Sequence, residues 1–489
     1  MAGYIEKLNP LGKLMIVIGI MMAIPLFVIP FYPDDLCYAW TFLIPSFSSV
    51  CLGVLVGKIG GKIRERDRSE YVWVSNLIVF AAWGYGFLAG AVPFVLAGKL
   101  TFVQALFESV SGWTTTGLSV VNVEETEPIF LFHRSFMQFC GGLGFVLMMT
   151  TFVQVRESAN LYNAEGHPDK LKPNIKKTAR TIFTMYVSFL IGGTVLYRIF
   201  GMGIFEGINH AMGALSTGGF STRADSIGAY QSVAVEWITI LLMIIGTTNF
   251  AVLQLFTTGK WKRATRVSEM RFLFAVLCIF IPLMAFSLSY GMYVHLGEGF
   301  RLAVFNVVSA LSTTGFSTMA YTDWPEAAVG MMILLMLIGG GIGSTAGGLK
   351  LTRVYIMLCL VWENVKERMV SRQVVTSPSY ETAQGKVKID AKLTNQIVGF
   401  VTMYGLIFAV GSLLLTITAN CSLKDAMFDF ASSLGTVGLS IGITNPSTNE
   451  ASLLIEIVGM ILGRLEIFGV LLGICAFGKM INASRKKRM

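Results

Sequence analysis

The chain has 489 residues, of which 54% are hydrophobic and only 14% are charged. This balance excludes an ordinary soluble domain and indicates a protein that crosses a membrane many times. Seven cysteines and four histidines are scattered along the chain. They show no paired spacing, so neither a disulfide framework nor a transition-metal site is expected.

Ten apolar runs follow one another, each near the ~20 residues that a helix needs to cross a bilayer. In chain order they are 14–32, 38–57, 71–98, 135–155, 181–197, 237–259, 272–297, 327–349, 393–423 and 451–478. Only the last run contains formal charges, at Glu456, Arg464 and Glu466. We therefore predict ten spanning helices, two leading ones followed by four pairs.

Basic residues concentrate in the segments that ten spans place on one side of the membrane. These segments are the N-terminus through Lys13, the connections 58–70, 156–180, 260–271 and 350–392, and the tail from Lys479. Positively charged connections mark the cytoplasmic side, so both termini are predicted to be cytoplasmic. Topology then explains the net charge of +9, and no nucleic-acid partner is expected.

A short motif occurs four times, each copy after an apolar segment that fits a half-length helix. The copies are Thr115-Thr116-Gly117-Leu118-Ser119, Thr217-Gly218-Gly219-Phe220-Ser221, Thr313-Thr314-Gly315-Phe316-Ser317 and Thr436-Val437-Gly438-Leu439-Ser440. A second glycine stands inside the apolar run that follows each copy, at Gly141, Gly246, Gly339 and Gly463.

Four units of helix, re-entrant loop and helix predict a pseudo-fourfold arrangement around one pore. The predicted fold is an all-α polytopic membrane protein with a leading helix pair (1–68) and four pore repeats. The repeats are 69–157, 158–262, 263–375, whose inner helix is predicted to be broken, and 376–489.

The repeated loop has the chemistry of a site for a dehydrated monovalent cation. Rings of backbone carbonyls replace water around such an ion without fixed charge, and glycine permits the dihedral angles that this requires. The candidate ligands, mainly through backbone carbonyls, are Thr115, Thr116, Gly117, Thr217, Gly218, Gly219, Thr313, Thr314, Gly315, Thr436, Val437 and Gly438. The alternative is that these are packing residues at helix contacts. That alternative does not explain why four copies share one order of elements.

Six of the ten residues from Gly339 to Gly348 are glycine. Each glycine costs a helix ~1 kcal/mol relative to alanine, so the inner helix of the third repeat should break here and leave a loop across the axis. The predicted gate comprises Gly339, Gly340, Gly341, Gly343, Ser344, Thr345, Gly347, Gly348, Lys350 and Arg464. A nucleotide-binding P-loop is rejected because Leu349 stands where lysine is required.

Arg464 stands in mid-span, where a charge is costly and marks a functional candidate. Glu466, two residues on, projects about 200° around the helix and is a poor partner. Two interpretations stay open: a positive barrier in the pore below the loops, or half of an ion pair with another helix. Lys350 either adds to the barrier or marks the cytoplasmic end of its helix.

With these motifs the chain resembles bacterial Trk-type potassium uptake proteins, in the TrkH branch of the Trk/Ktr/HKT superfamily. The resemblance covers nearly the whole chain. It is carried by the four loops, by 142–145 and 246–250, by the glycine run 339–348 and by Gly463-Arg464-Leu465-Glu466. One departure is Gly218, where a second threonine or valine is usual. No loss of function is expected, because the carbonyl is still present.

The resemblance implies a potassium-conducting subunit of the bacterial cytoplasmic (inner) membrane, with potassium ions in the filter and the glycine-rich loop as gate. It further implies a homodimer in the lipid bilayer, gated by cytoplasmic nucleotide-binding regulatory subunits of the TrkA type.

Two other functions were weighed against this one. A sodium-selective or ion-coupled HKT-like transporter is the nearer alternative, but sodium preference in that family goes with a serine at the position of Gly117. A membrane-embedded enzyme is the distant alternative, and no paired acids, Ser–His couple or HExxH motif in the spans supports it.

Overall fold

The computed structural model describes residues 9–59, 68–144, 147, 150, 175–292, 295–369, 378–465 and 467–475. Phe145, Glu466, the tail from Lys479 and parts of the predicted connections (60–67, 156–174 and 370–377) lie outside these residues.

The described residues are almost entirely helical. In chain order the helices are α1 (Pro10–Ala23), α2 (Ala39–Ile59), α3 (Arg68–Leu96), α4 (Phe102–Trp113), α5 (Pro128–Leu143), α6 (Ile175–Ile199), α7 (Ile204–Leu215), α8 (Val233–Thr247), α9 (Phe250–Thr257), α10 (Trp261–Ala264), α11 (Ser268–Met292), α12 (Leu296–Leu311), α13 (Glu326–Ile338), α14 (Leu351–Met369), α15 (Ala391–Ala419), α16 (Leu423–Gly435), α17 (Glu450–Arg464) and α18 (Ile467–Cys475). Strands β1 (Ser379–Glu381) and β2 (Lys386–Lys388) form an antiparallel hairpin.

Six of the described helices are long and apolar enough to cross a membrane, or eight if each of two sharply bent pairs is one span. The six are α1 with its 3₁₀ extension, α2, α3, α6, α11 and α15. Large apolar side chains such as Phe47, Phe286 and Ile417 are exposed on these helices, as expected of a surface that faces lipid.

The inner helix of each repeat, by contrast, does not run straight through. Helix α5 ends at Leu143 and α13 at Ile338, each followed by a glycine with positive φ. Helices α8 and α9 meet at 114°, and α17 and α18 at 101°. The sequence predicted a break only in the third repeat; this needs a correction, because the structure interrupts the inner helices of all four repeats.

The leading helices α1 and α2 pack face to face through small residues. A Cβ on Gly12 would overlap the backbone of Gly53 and Gly57, so the two helices approach as closely as backbones allow. This is the usual way for helices to associate where lipid gives no hydrophobic driving force.

Four short helices, α4, α7, α12 and α16, precede the four motif loops. Helix α4 starts with a capping box between Thr101 and Gln104, and Ser422 caps α16. Each cap satisfies amide groups at the start of its helix, which fixes where the helix begins. The C-terminal end of each short helix then leads directly into its loop.

Candidate cation pathway

The four motif loops, here L1 (115–119), L2 (217–221), L3 (313–317) and L4 (436–440), share one backbone conformation. The first threonines, Thr115, Thr217, Thr313 and Thr436, have φ of +57°, +52°, +54° and +51°. The glycines, Gly117, Gly219, Gly315 and Gly438, have φ of +93°, +73°, +80° and +98°. A β-branched residue at positive φ is strained, so surrounding structure must hold each loop in place.

The loops hold one another in a closed ring. Each loop glycine lies so close to the neighbouring loop that an added Cβ would overlap the carbonyl oxygen of that loop's second residue. Around the ring these contacts join Gly117 to Gly218, Gly219 to Thr314, Gly315 to Val437, and Gly438 to Thr116. All twelve predicted filter residues therefore lie in one ring of four neighbouring segments, with the pseudo-fourfold order that the sequence predicted.

The ring has the electrostatics of a cation site. The C-terminal ends of α4, α7, α12 and α16 meet at the loops, and a helix C-terminus carries about half a negative charge. The hydroxyl oxygens of Thr115 and Thr436 are buried and have no hydrogen-bond partner among the described residues. Those of Thr217 and Thr313 contact the glycine-rich loop instead.

Serine side chains support three of the loops from behind. Ser111 accepts from the amide of Gly117 and donates to the carbonyl of Leu118. Ser432 accepts from the amide of Gly438, and Ser309 donates to the carbonyl of Phe316. The second repeat has glycine at this position, so L2 requires another support.

Gln138, on the inner helix of the first repeat, supplies that support. Its Nε2 donates to the carbonyl oxygen of Gly218 at 2.5 Å, and its Oε1 accepts from the amide of Phe220 at 3.1 Å. A Cβ on Gly218 would crowd the amide group of Gln138, which explains why glycine replaces threonine or valine in L2. Sequence reasoning missed Gln138, because the contact joins two repeats across 80 residues.

A second support lies nine residues before each loop glycine. The residues there are Glu108, His210, Asn306 and Asp429, all fully buried. Each contacts hydroxyl or amide groups at the end of its loop or just after it: Glu108 with Ser119 and Val120, His210 with Ser221, Asn306 with Thr318, and Asp429 with Ser440, Ile441 and Thr444. A polar residue at this position in all four copies was the sequence signal that could have revealed this role.

The buried carboxylate of Glu108 is paired with Arg134. Arg134 Nε lies 2.5 Å from Glu108 Oε1, its NH2 group donates to Ser119, and its guanidinium stacks on Phe220 of L2. Both side chains are almost fully buried, so each charge depends on the other for compensation.

The glycine-rich loop (339–350) between α13 and α14 folds back on itself. Amides of Leu349 and Lys350 donate to the carbonyls of Leu337 and Ile338, and Gly340 N donates to Gly347 O at 3.3 Å. Lys350 has φ +77° and its ammonium donates to the carbonyl of Ala346. This contact curls Lys350 back over the loop.

The same loop contacts the second, third and fourth repeats at the ring. Thr345 bonds to the carbonyls of Leu215 and Gly246 in the second repeat. The Gly347 amide donates to Thr313 of L3 at 2.8 Å. A Cβ on Gly347 would overlap Thr436 of L4. The predicted gate residues therefore lie beneath the predicted filter residues.

Arg464 joins the loop to the first repeat. Its guanidinium donates to the carbonyl oxygens of Thr345 (2.6 Å), Gly141 (2.5 Å) and Gly142 (3.2 Å). Neither sequence interpretation included these bonds to backbone carbonyls. The bonds place a positive charge below the ring and also tie the loop to α5.

The chain is similar in sequence to known cation transport proteins. The TrkH family model, a cation transport protein, matches residues 76–479. The Trk system potassium uptake protein TrkH of Vibrio parahaemolyticus is 29% identical, covering 94% of this chain and 96% of the relative. An uncharacterised cation transporter of Methanocaldococcus jannaschii is 27% identical, covering 95% and 94%.

The fold has a solved counterpart. The crystal structure of the potassium transporter TrkH from Vibrio parahaemolyticus superposes with a TM-score of 0.82 at 26% identity, over 96% of this chain and 98% of that chain. The chain belongs to the TrkH family of cation transport proteins.

Proposed function

We propose that this protein conducts potassium into the cell through the ring formed by L1–L4. The observation that carries the proposal is the closed ring of four glycine-to-carbonyl contacts with buried threonine hydroxyls at its lower edge. Relatives named as potassium uptake proteins support the choice of ion. In this scheme the twelve loop residues replace the hydration shell of potassium, and the helix C-termini stabilise its charge.

Potassium is preferred over sodium in this proposal, because the resemblance associates sodium preference with a serine at the position of Gly117. All four loop positions are glycine, and a side chain at any of them would overlap the neighbouring carbonyl oxygen. The ring therefore keeps its spacing only with four glycines. A sodium-selective or ion-coupled transporter stays the alternative, which ion competition would reveal.

The glycine-rich loop is proposed to be the gate. It lies beneath the ring, and each of its anchors is a hydrogen bond that can be broken without exposing a large apolar surface. Arg464 acts in two ways in this scheme: its charge repels a passing cation, and its bonds to Thr345 and Gly141 hold the loop across the axis.

The protein is further proposed to act as a homodimer in the bacterial cytoplasmic membrane, with both termini in the cytoplasm. Nucleotide-binding regulatory subunits of the TrkA type would then gate it from that side. The words 'Trk system' in the names of relatives support the choice of regulatory partner, and co-purification with such a subunit tests it.

Flux into liposomes by the purified full chain tests the main proposal. Potassium and rubidium should enter faster than sodium and lithium, without any need for a proton gradient. Faster sodium entry, or no potassium entry without a gradient, would select the alternative instead.

Gly117→Ser tests the ring itself. The side chain would meet the Gly218 carbonyl at a residue with φ +93°, so the potassium-to-sodium permeability ratio should fall about tenfold, equivalent to ~1.4 kcal/mol. Gly98→Ser is the matched control, because Gly98 also has positive φ but has open space around its Cβ. An unchanged ratio in a normally folded Gly117→Ser protein removes Gly117 from the filter.

Arg464→Ala and Arg464→Lys separate the two roles of the arginine. Both variants lose the bridge between Thr345 and Gly141, but the lysine keeps a positive charge. Leak of rubidium should rise in both if the bridge holds the loop closed, and in the alanine variant alone if charge repulsion dominates. A destabilised protein with unaltered uptake per folded molecule would contradict both roles.

A further inference from the structure

Two carboxyl groups lie together behind L4. Asp429 on α16 and Glu456 on α17 are both fully buried. The hydroxyl Oγ1 of Thr444 stands between them, 3.3 Å from Asp429 Oδ2 and 2.9 Å from Glu456 Oε1.

If both carboxyl groups were ionised, there would be too few hydrogen-bond donors for their oxygen atoms. Asp429 is the acceptor for Ser440 (2.7 Å), the Ile441 amide (2.9 Å) and the Thr444 amide (3.2 Å), which suits a carboxylate. The Thr444 hydroxyl has one proton to give. If it donates that proton to Asp429, the Thr444 oxygen and an ionised Glu456 Oε1 would face each other at 2.9 Å with no proton between them.

The second oxygen of Glu456 strengthens this conclusion. Oε2 is buried and has no hydrogen-bond partner among the described residues. An ionised carboxylate with half of its charge unpaired in a buried site is very costly, whereas an unpaired carbonyl oxygen of a neutral acid costs much less.

Among the described residues, the other charged groups near this pair are paired elsewhere, distant or exposed. Helix α4 faces α17 with Glu108, which is already paired with Arg134. In the described part of α15 the charged residue is Lys392, in its first turn, while Arg464 lies eight residues from Glu456 and bonds to Thr345. Lys424, Asp425, Glu450 and the thiol of Cys421 lie at partly or fully exposed positions near the outer ends of α16 and α17.

We propose that Glu456 is a proton-binding site. Its protonated carboxyl donates to Thr444, which donates to Asp429, and Asp429 in turn holds the segment that follows L4. No co-reactant is needed, because the site only exchanges one proton with water. Loss of that proton places a second negative charge beside Asp429 and loosens L4, whose Gly438 contacts Thr116 in the ring.

Infrared spectroscopy of the purified full chain tests the protonation directly. A carboxylic-acid carbonyl band should be present at neutral pH and should disappear in Glu456→Gln, while Glu450→Gln, an exposed acid on the same helix, leaves it. Retention of the band in Glu456→Gln, or loss of carboxylate absorption in place of it, overturns the proposal.

A second measurement locates the proton. Glu456→Gln retains a donor toward Thr444, so its melting temperature should no longer fall at alkaline pH as that of the natural protein does. Asp429→Asn should lower the melting temperature at every pH, because an amide nitrogen then faces an N–H or O–H donor. The reverse pattern would place the proton on Asp429 and refute the assignment.

A third measurement concerns transport and rests on the proposed function. Rubidium flux of the natural protein should decline at alkaline pH, and that decline should be absent in Glu456→Gln. If the infrared band behaves as expected but no rubidium flux is found at any pH, the proton site stands and the transport proposal fails.

Discussion

The first and fourth repeats each support their loop with a buried acid, but the acid is paired with a cation in the first repeat and with a second acid in the fourth. Behind L1, Glu108 is paired with Arg134; at the equivalent positions behind L4, Asp429 shares Thr444 with a second acid, Glu456. The loop backbones are nearly the same, so a common backbone does not require a common support. What the four repeats share is that every buried donor or acceptor behind the loop needs a hydrogen-bond partner. Each repeat supplies that partner with different side chains.

Removing the cation from the first repeat should have the largest effect. Arg134→Leu leaves Glu108 buried and unpaired, which costs ~3–5 kcal/mol in typical cases. We expect a large fall in melting temperature and in folded yield. Adding Glu108→Gln to Arg134→Leu should recover much of the loss, because a neutral amide removes the stranded charge; no recovery would show that packing on Phe220 matters more than the charge.

Breaking the support that crosses repeats should have an intermediate effect. Gln138→Leu leaves the Gly218 carbonyl and the Phe220 amide unpaired, at ~1–3 kcal/mol for each buried group. The melting temperature and the potassium-to-sodium ratio should both fall. Gln138→Glu keeps the acceptor for Phe220 but turns a donor toward Gly218 into a second acceptor, so its selectivity should be at least as poor. Unchanged selectivity in both variants would make Gln138 a packing residue only.

An exposed ion pair of the first repeat provides the smallest effect. Lys99 Nζ lies 2.5 Å from Glu127, and the side chains keep 33% and 25% of their exposure. Lys99→Met should cost only ~0–1 kcal/mol, far less than Arg134→Leu. A comparable loss of melting temperature in the two variants would show that burial does not set the energetic difference between these two ion pairs.

The pH dependence of that exposed pair has a definite sign. Burial opposes ionisation of Glu127, but hydrogen bonds from Lys99 and Tyr38 outweigh it and lower its pKa. A lowered pKa contributes stability above the ordinary value near ~4.3 and loses it as the pH falls through the shifted value. The difference in melting temperature between Lys99→Met and the natural protein should therefore vanish at acidic pH.

The features that could be predicted are those that depend on residues close together in the sequence. Four copies of one motif identified the loops, and six glycines in ten residues indicated a break after α13. The breaks after α5, α8 and α17 were missed, because each depends on one or two glycines or on Asn249 at the start of α9. Such residues are common in membrane helices and do not force an interruption.

Supports between distant residues were also beyond sequence reasoning. Gln138 is an ordinary residue of an apolar run, and only the folded ring brings it to Gly218. Arg464 was predicted to be functional from its position, but its carbonyl partners lie more than 100 residues away in sequence. The pairing of Asp429 with Glu456 needed the same three-dimensional context.

The hairpin of β1 and β2 is connected to the glycine-rich loop through the start of α11. The amide of Glu381 in β1 donates to Ser268, the first residue of α11, and the neighbouring Glu269 accepts from the amide of Ile342 in the loop. The connection is thus two hydrogen bonds and one peptide link long. Because the connection is this short, a partner that displaced the hairpin would act on Ile342 of the loop through Ser268 and Glu269 alone.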